Sequence, residues 1–338
     1  AQFRRQRQMC IRDSLKGVKS DDHEKKLYEL LGYHHLDADK PQLLHIVPEK
    51  DAGIPESMTI SPNRTPQWTD DRSGLVFGIH DAGKKEMKKD EDAEETKEGQ
   101  ADDEADVVVW HWEDKRLQSQ QQVQESQDKS FSYLCIRQTE AVKTLRLGTE
   151  EMREASIPRP HRIAIATDNE MYRRDGSLDG RRYRDVYVVD ISSGQRRLVL
   201  EKYRWMTLPS PTGEKLLYYA KRHFHVLDVK SGKSRNITKQ VKTSFVDRED
   251  DHNIIDPPHS PVGWSQDGKA VLLFDGWDIW KIPTAGGKAI NLTVNGRKNN
   301  IRYQRRYVTD PDEIGIDLAQ PMFVSMYGER NKKGGVVR

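Results

Sequence analysis

The chain has 338 residues, enough for one large all-β domain or two smaller ones. Its 56 Lys and Arg against 54 Asp and Glu leave a net charge of +2, which excludes a general electrostatic pull toward nucleic acid or an anionic membrane. No run approaches the ~18 apolar residues of a membrane-spanning helix, and two cysteines, Cys10 and Cys135, cannot build a disulfide framework.

Residues 1–14 carry neither a strand nor a helix period and resemble a translated sequencing-adapter remnant. They are expected to be foreign to the fold, which then occupies residues 15–338, and they show no signal-peptide pattern. His34 and His35 are adjacent, so on a strand they would point to opposite faces and make poor joint ligands. Pro66-Gln67-Trp68-Thr69-Asp70-Asp71 followed by Gly74-Leu75-Val76-Phe77 reads as a strand, a tight turn and a second strand. Residues 84–106 are a low-complexity charged run without aromatic or β-branched aliphatic side chains, the composition of a solvated, disordered insertion. Residues 106–112 are expected to supply the third strand of that blade. Alternation puts Trp110 and Trp112 on one face, in an inter-blade core more readily than in a ligand channel. A glutamine-rich stretch follows at 118–124, and residues 131–136 read as a strand that buries Cys135.

The strongest signal lies further on. Residues 210–238 align with residues 265–293 without a gap at a shift of 55 positions, and 7 of the 29 positions are identical. Most of these are turn and end residues: Ser210/Ser265, Gly213/Gly268, Gly232/Gly287, Lys233/Lys288, Asn236/Asn291 and Thr238/Thr293, with Leu217/Leu272 inside a strand. Each copy reads as short strands joined by hairpin turns. Such a unit cannot bury both faces alone, so copies must stack. Asp185-Val186-Tyr187, with the turn ending at Gly194, repeats the same pattern once more. The architecture expected is all-β: a β-propeller of four-stranded antiparallel blades, with four recognisable blades and a partial one at each end. Residues 321–327 read as a strand, 331–335 as its turn, and 336–338 as the start of a partner strand, so the propeller is expected to be incomplete.

The residues that could carry chemistry have simpler readings. No serine has glycine at both flanking positions of a nucleophile elbow: Ser265 follows Gly263 but precedes Asp267, and Ser234 follows Gly232 but precedes Asn236. His223 and His225 alternate on a strand and share a face, yet no third ligand is apparent. The acidic run Asp247-Arg248-Glu249-Asp250-Asp251, followed by His252, lacks the glycine and spacing of a calcium loop and reads as a solvated loop. Asn236-Ile237-Thr238 and Asn291-Leu292-Thr293 fit the glycosylation pattern, as does Asn63-Arg64-Thr65. The equivalent places of the first two in the repeat favour a turn role instead. No catalytic, cofactor-binding or metal-binding residue is therefore assigned, and no cofactor is expected.

Trp264-Ser265-Gln266-Asp267-Gly268-Lys269, the apolar run after it, Asp278-Ile279-Trp280, Gly286-Gly287 and Leu292-Thr293 together resemble the WD40-like repeat of TolB-type propellers. Met58-Thr59-Ile60-Ser61-Pro62-Asn63-Arg64-Thr65-Pro66, Val109-Trp110-His111-Trp112-Glu113-Asp114 and Pro321-Met322-Phe323-Val324-Ser325-Met326-Tyr327-Gly328-Glu329 are similar to the propeller region of large bacterial prolyl-oligopeptidase-family (S9) serine peptidases. The chain departs from the repeat at Pro209, which stands where the tryptophan is expected. The resemblance implies a propeller that admits short peptides to a separate α/β-hydrolase domain holding a Ser-Asp-His triad, and it implies a periplasmic or secreted location. None of the triad maps onto this chain. The parent protein would be a serine peptidase, and the partners would be peptide substrates and the missing hydrolase domain. A stand-alone TolB-like propeller acting as a protein-binding scaffold is the alternative. A propeller lyase acting on an acidic sugar would need clustered histidines and a metal, for which His223 and His225 are the only hint.

Overall fold

The computed structural model describes residues 11–36, 39–83, 109, 111 and 113–338. The chain divides into two compact units, Ala1–Ser156 with Ala164–Arg204, and Ile157–Ile163 with Trp205–Arg338. The fold class is all-β, a β-propeller type whose sheets are antiparallel, with neighbouring strands consecutive in sequence in all but one sheet.

Among the described residues the first unit holds three sheets. β1 (Ile11–Val18), β2 (Leu27–His34) and β3 (Gln42–Ile46) form a three-stranded one. In the second, β4 (Met58–Ile60) and β5 (Gln67–Trp68) both pair with β6 (Gly74–Asp81), which is followed by β7 (Tyr133–Gln138) and β8 (Leu145–Arg146). The third is four-stranded: β9 (Glu154–Ser156), β10 (Ala164–Asp168), β11 (Arg184–Val189) and β12 (Arg196–Tyr203). Every residue of β6 except Asp81 is buried. That is why it reads as a continuous apolar run and not as an alternating one. Leu75, Phe77 and Ile79 pack with Leu30, Ile46 and Trp68.

Two expectations change here. Residues 11–14 belong to β1, with Ser14 opposite Leu31, so the fold does not begin at residue 15. Of residues 106–112, only Val109 and His111 lie within the described residues, and neither is in a strand. The partner of β6 is β7, where Cys135 sits opposite Phe77. Burial decides this: Leu134, Cys135 and Ile136 are all inside the core, while Val109 is exposed. The glutamine-rich stretch is the start of a helix, Gln118–Lys129, with no buried residue. A polar helix of this kind offers no apolar stripe to read. It meets a second short helix, Arg173–Asp179, through Ser177 Oγ donating to Gln120 Oε1 at 3.0 Å. The charged run 84–106, together with Trp110 and Trp112, lies outside the described residues.

The second unit also holds three sheets. β13 (Leu208–Pro209), β14 (Lys215–Ala220), β15 (His223–Asp228) and β16 (Ser234–Asn236) form one four-stranded sheet. β17 (Gly263–Trp264), β18 (Ala270–Phe274), β19 (Ile279–Pro283) and β20 (Ile290–Asn291) form the next, and β21 (Ile301–Arg306), β22 (Val324–Gly328) and β23 (Gly334–Val337) a three-stranded last one. The 55-residue shift carries the pairing register of one sheet onto the other. Leu208 opposite Leu217 becomes Gly263 opposite Leu272, Leu217 opposite Val226 becomes Leu272 opposite Lys281, and His225 opposite Asn236 becomes Trp280 opposite Asn291. Pro209 remains tolerable because β13 is an edge strand, where a missing N–H costs no ladder bond.

Most of the identical residues are those whose side chains or backbone angles build the turns. Ser210 Oγ accepts from the Lys215 N–H at 3.1 Å, and Ser265 Oγ from the Ala270 N–H at 2.9 Å. Gly213 and Gly268 hold φ of 72° and 64°, the left-handed region where a Cβ is strained. Thr238 Oγ1 accepts from the Phe224 N–H, and Thr293 Oγ1 from the Ile279 N–H. Core side chains differ between the copies because volume can be traded between neighbours, whereas a turn bond has one geometry. β18 is buried on both faces: Val271 and Leu273 pack with Leu217, Tyr219, Phe224 and Phe245, while Leu272 packs with Tyr303, Ile316 and Val324.

Candidate functional site

The histidines come first, because they are the groups able to act as bases or ligands. His223 and His225 share a face as expected, since Phe224 between them is buried. Their rings nevertheless have separate partners. His223 Nδ1 lies 3.3 Å from Thr238 Oγ1, and His225 stacks on Tyr218 at 5.1 Å. Burial pushes the His225 imidazole below its ordinary value, so the neutral ring is favoured. His34 and His35 differ from expectation. β2 ends at His34, and a φ of 54° at His35 turns its ring back, bringing the two Nδ1 atoms to 2.7 Å. Among the described residues no group of three or more His, Cys, Asp or Glu side chains is arranged to hold a metal ion.

One serine does meet a histidine: Ser20 Oγ is 3.0 Å from His23 Nδ1. The pair sits three residues apart in a turn, Ser20 Oγ also accepts from the Asp22 N–H, and no carboxylate among the described residues orients the ring. A triad needs that third group to set the tautomer and support the imidazolium. The sequence reading passed over this pair, since only the turn brings it together. Ser265 Oγ is committed to Asp267 at 2.6 Å, and Ser234 Oγ to Tyr218 at 2.5 Å. Cys135 is fully buried, and burial pushes its thiol up to about 12, which removes it as a nucleophile.

The Asn residues of the two repeated glycosylation patterns serve their turns. Asn236 Oδ1 accepts from the N–H groups of Thr238 and Lys239, and Asn291 Oδ1 from those of Thr293 and Val294. The acidic run is less free than a solvated loop. Asp247 pairs with His259 at 3.3 Å, and Glu249 with Arg302 at 2.8 Å.

A cavity of about 430 Å³ lies between the last two sheets of the second unit, lined by Lys281 and Leu292 on one side and Tyr303, Ile316, Met322 and Val337 on the other. Its hydroxyls are taken: Thr293 donates to Asp278 at 2.6 Å and Tyr303 to Asn295 at 2.8 Å. Mixed walls, with Lys281, Asp317 and Arg338 as the charged groups among mostly apolar side chains and no nucleophile beside a base among these lining residues, suit binding of a ligand. The cavity was not legible beforehand, because its lining comes from stretches up to 57 positions apart, Lys281 to Arg338.

No protein-family model matches the chain, and no curated protein does. Among solved structures it is similar to a putative TolB from Agrobacterium tumefaciens, at 11% identity over 88% of this chain and 83% of that one, with a TM-score of 0.34. It is similar to the β-propeller domain of the trilobed protease from Pyrococcus furiosus, at 10% identity over 94% and 76%, with a TM-score of 0.35. It is also similar to dipeptidyl peptidase 4 from Porphyromonas gingivalis, at 12% identity over 96% of this chain and 45% of that one, with a TM-score of 0.41. The chain thus spans less than half of that peptidase. Both groups that the motifs resemble, TolB and S9-type peptidases, are represented among these structures. At TM-scores below 0.5 the likeness identifies no function, and the blade assignment rests on the strand order and register above.

Proposed function

We propose that this chain is the propeller portion of an S9-type serine peptidase, a module that docks short peptides and limits access to a hydrolase domain lying outside these residues. The observation that carries the reading is the pair of consecutive sheets in one register, built on the repeat whose flanking motifs resemble that family. The chemistry of the chain supports it. Ser234 and Ser265 are tied into turn and cross-strand bonds, and among the described residues no acid orients His23 beside Ser20. The mechanism is then steric selection, with acyl transfer left to the other domain. The purified chain is expected to take no covalent label from a fluorophosphonate serine probe and to hydrolyse no short peptide. Labelling of any serine would overturn the proposal.

A further inference from the structure

The stretch between β16 and β17 does more than connect two sheets. Phe245 and Val246 are buried in the core shared by those sheets. Val246 bridges to Pro258, the Asp247 N–H donates to Pro257 O at 2.7 Å, and the His259 N–H donates to Phe245 O at 2.9 Å. Its base is a closed hairpin-like loop, from which residues 247–257 project.

That projection is fastened on three sides. On the sheet before it, Tyr219 Oη donates to Asp256 O at 2.9 Å, and Arg222 pairs with Asp256 at 3.5 Å. On the sheet after it, Thr243 donates to Asp275 at 2.8 Å, just ahead of the loop, and His259 packs its ring on Phe274. On the last sheet, Glu249 accepts from Arg302 at 2.8 Å. Arg302 is the centre of this third fastening. Its guanidinium also donates to Glu329 and to Gly276 O at 3.2 Å, and it lies 4.4 Å over the Trp277 ring. A planar fork with several donors and a stacking face holds such a junction better than an ammonium could.

The last sheet has reason to need the fastening. Its shared core, Leu272, Ile279, Tyr303, Ile316 and Val324, is smaller than the core joining the two sheets before it, so burial holds it less firmly. We propose that residues 245–259 act as a strap that keeps the β21–β23 sheet docked on its neighbours, with Arg302 as its fixing point. Tyr303, Val324 and Val337 of that sheet also wall the 430 Å³ cavity, so release of the strap widens it.

Hydrogen exchange of the whole chain at neutral pH tests this, because three amides report on the inter-sheet junction: Tyr303 N–H to Trp277 O, Ile316 N–H to Trp264 O, and Gln266 N–H to Ile316 O. Loss of a partly exposed ion pair of this kind corresponds to about a two- to fivefold faster opening. Glu249→Gln, at a largely exposed side chain, is expected to speed exchange at Asp247 and at Tyr303 and Ile316 by about that factor. Arg302→Met should speed it further, with β14 and β15 unchanged in both. Faster exchange in the loop with Tyr303 and Ile316 unaltered would overturn the strap. Glu249→Gln decides the matter even if Arg302→Met does not fold.

Discussion

The sheet β13–β16 and the sheet β4–β8 solve the same packing problem with very different lengths of chain. In the former, the second and third strands are joined through Lys221 and Arg222, both with positive φ. In the latter, Asp81 and Tyr133 are separated by 51 residues, 82–132. Both second strands nevertheless reach the core, with Phe77 and Leu216 fully inside. The difference teaches that one turn of a blade can absorb a long insertion, since closure entropy grows only with the logarithm of loop length. What cannot vary is the pairing register across the core, Phe77 opposite Cys135 as Leu217 is opposite Val226.

The largest effect that could break this comparison lies in the first unit. Asp51 is buried, and its carboxylate accepts from Arg137, from the Thr144 N–H and hydroxyl, and from the Gly53 N–H. Asp51→Ala strands the Arg137 guanidinium and is expected to cost about 3–5 kcal/mol in urea unfolding. A cost near zero would show that the insertion-bearing sheet does not depend on this junction.

The next concerns both units alike. Burial lowers the imidazole pKa of His34 and His80 in the first unit, and of His225 and His259 in the second, from an ordinary 6.5. At His259 the carboxylates of Asp247, Asp275 and Glu249 oppose the shift and Arg302 reinforces it. A base whose folded pKa is depressed binds fewer protons folded than unfolded, so its stabilisation is complete above pH 6.5 and falls as pH drops from there toward the folded value. Thermal unfolding should therefore shift down on acidification through the range just below 6.5. A flat profile there would contradict the burial of these rings.

Smaller still are the turn residues. Asn236→Ala and Asn291→Ala remove equivalent pairs of bonds, so each is expected to cost ~1 kcal/mol, and by equal amounts. A several-fold difference between them would break the equivalence of the two copies. The smallest effect is expected from deleting residues 84–106, which shortens one connection and should change stability by less than about 1 kcal/mol. Loss of folding would make that segment part of the sheet.

What could be read in advance follows from locality. Thr69 follows Trp68 as Ser265 follows Trp264, and Thr69 Oγ1 accepts from the Gly74 N–H as Ser265 Oγ accepts from the Ala270 N–H. The bonds lie within five residues, so composition exposes them. The third strand of the second sheet was expected at residues 106–112 because strand propensity is local, whereas the pairing of β7 with β6 is made by burial between stretches far apart in sequence. His35 turned back on His34 through a backbone angle that no spacing predicts. Glu249 looked solvated because its partner Arg302 is 53 residues distant. The candidate site was hidden for the same reason, as its polar groups and walls meet only when sheets stack.

The most direct test of the central claim is to read the gene in frame beyond the codon for Arg338. The account predicts a G-x-S-x-G elbow followed by the Asp and His of a hydrolase triad. A stop codon soon after one further blade would contradict it and leave a propeller that binds a protein partner without serving a peptidase.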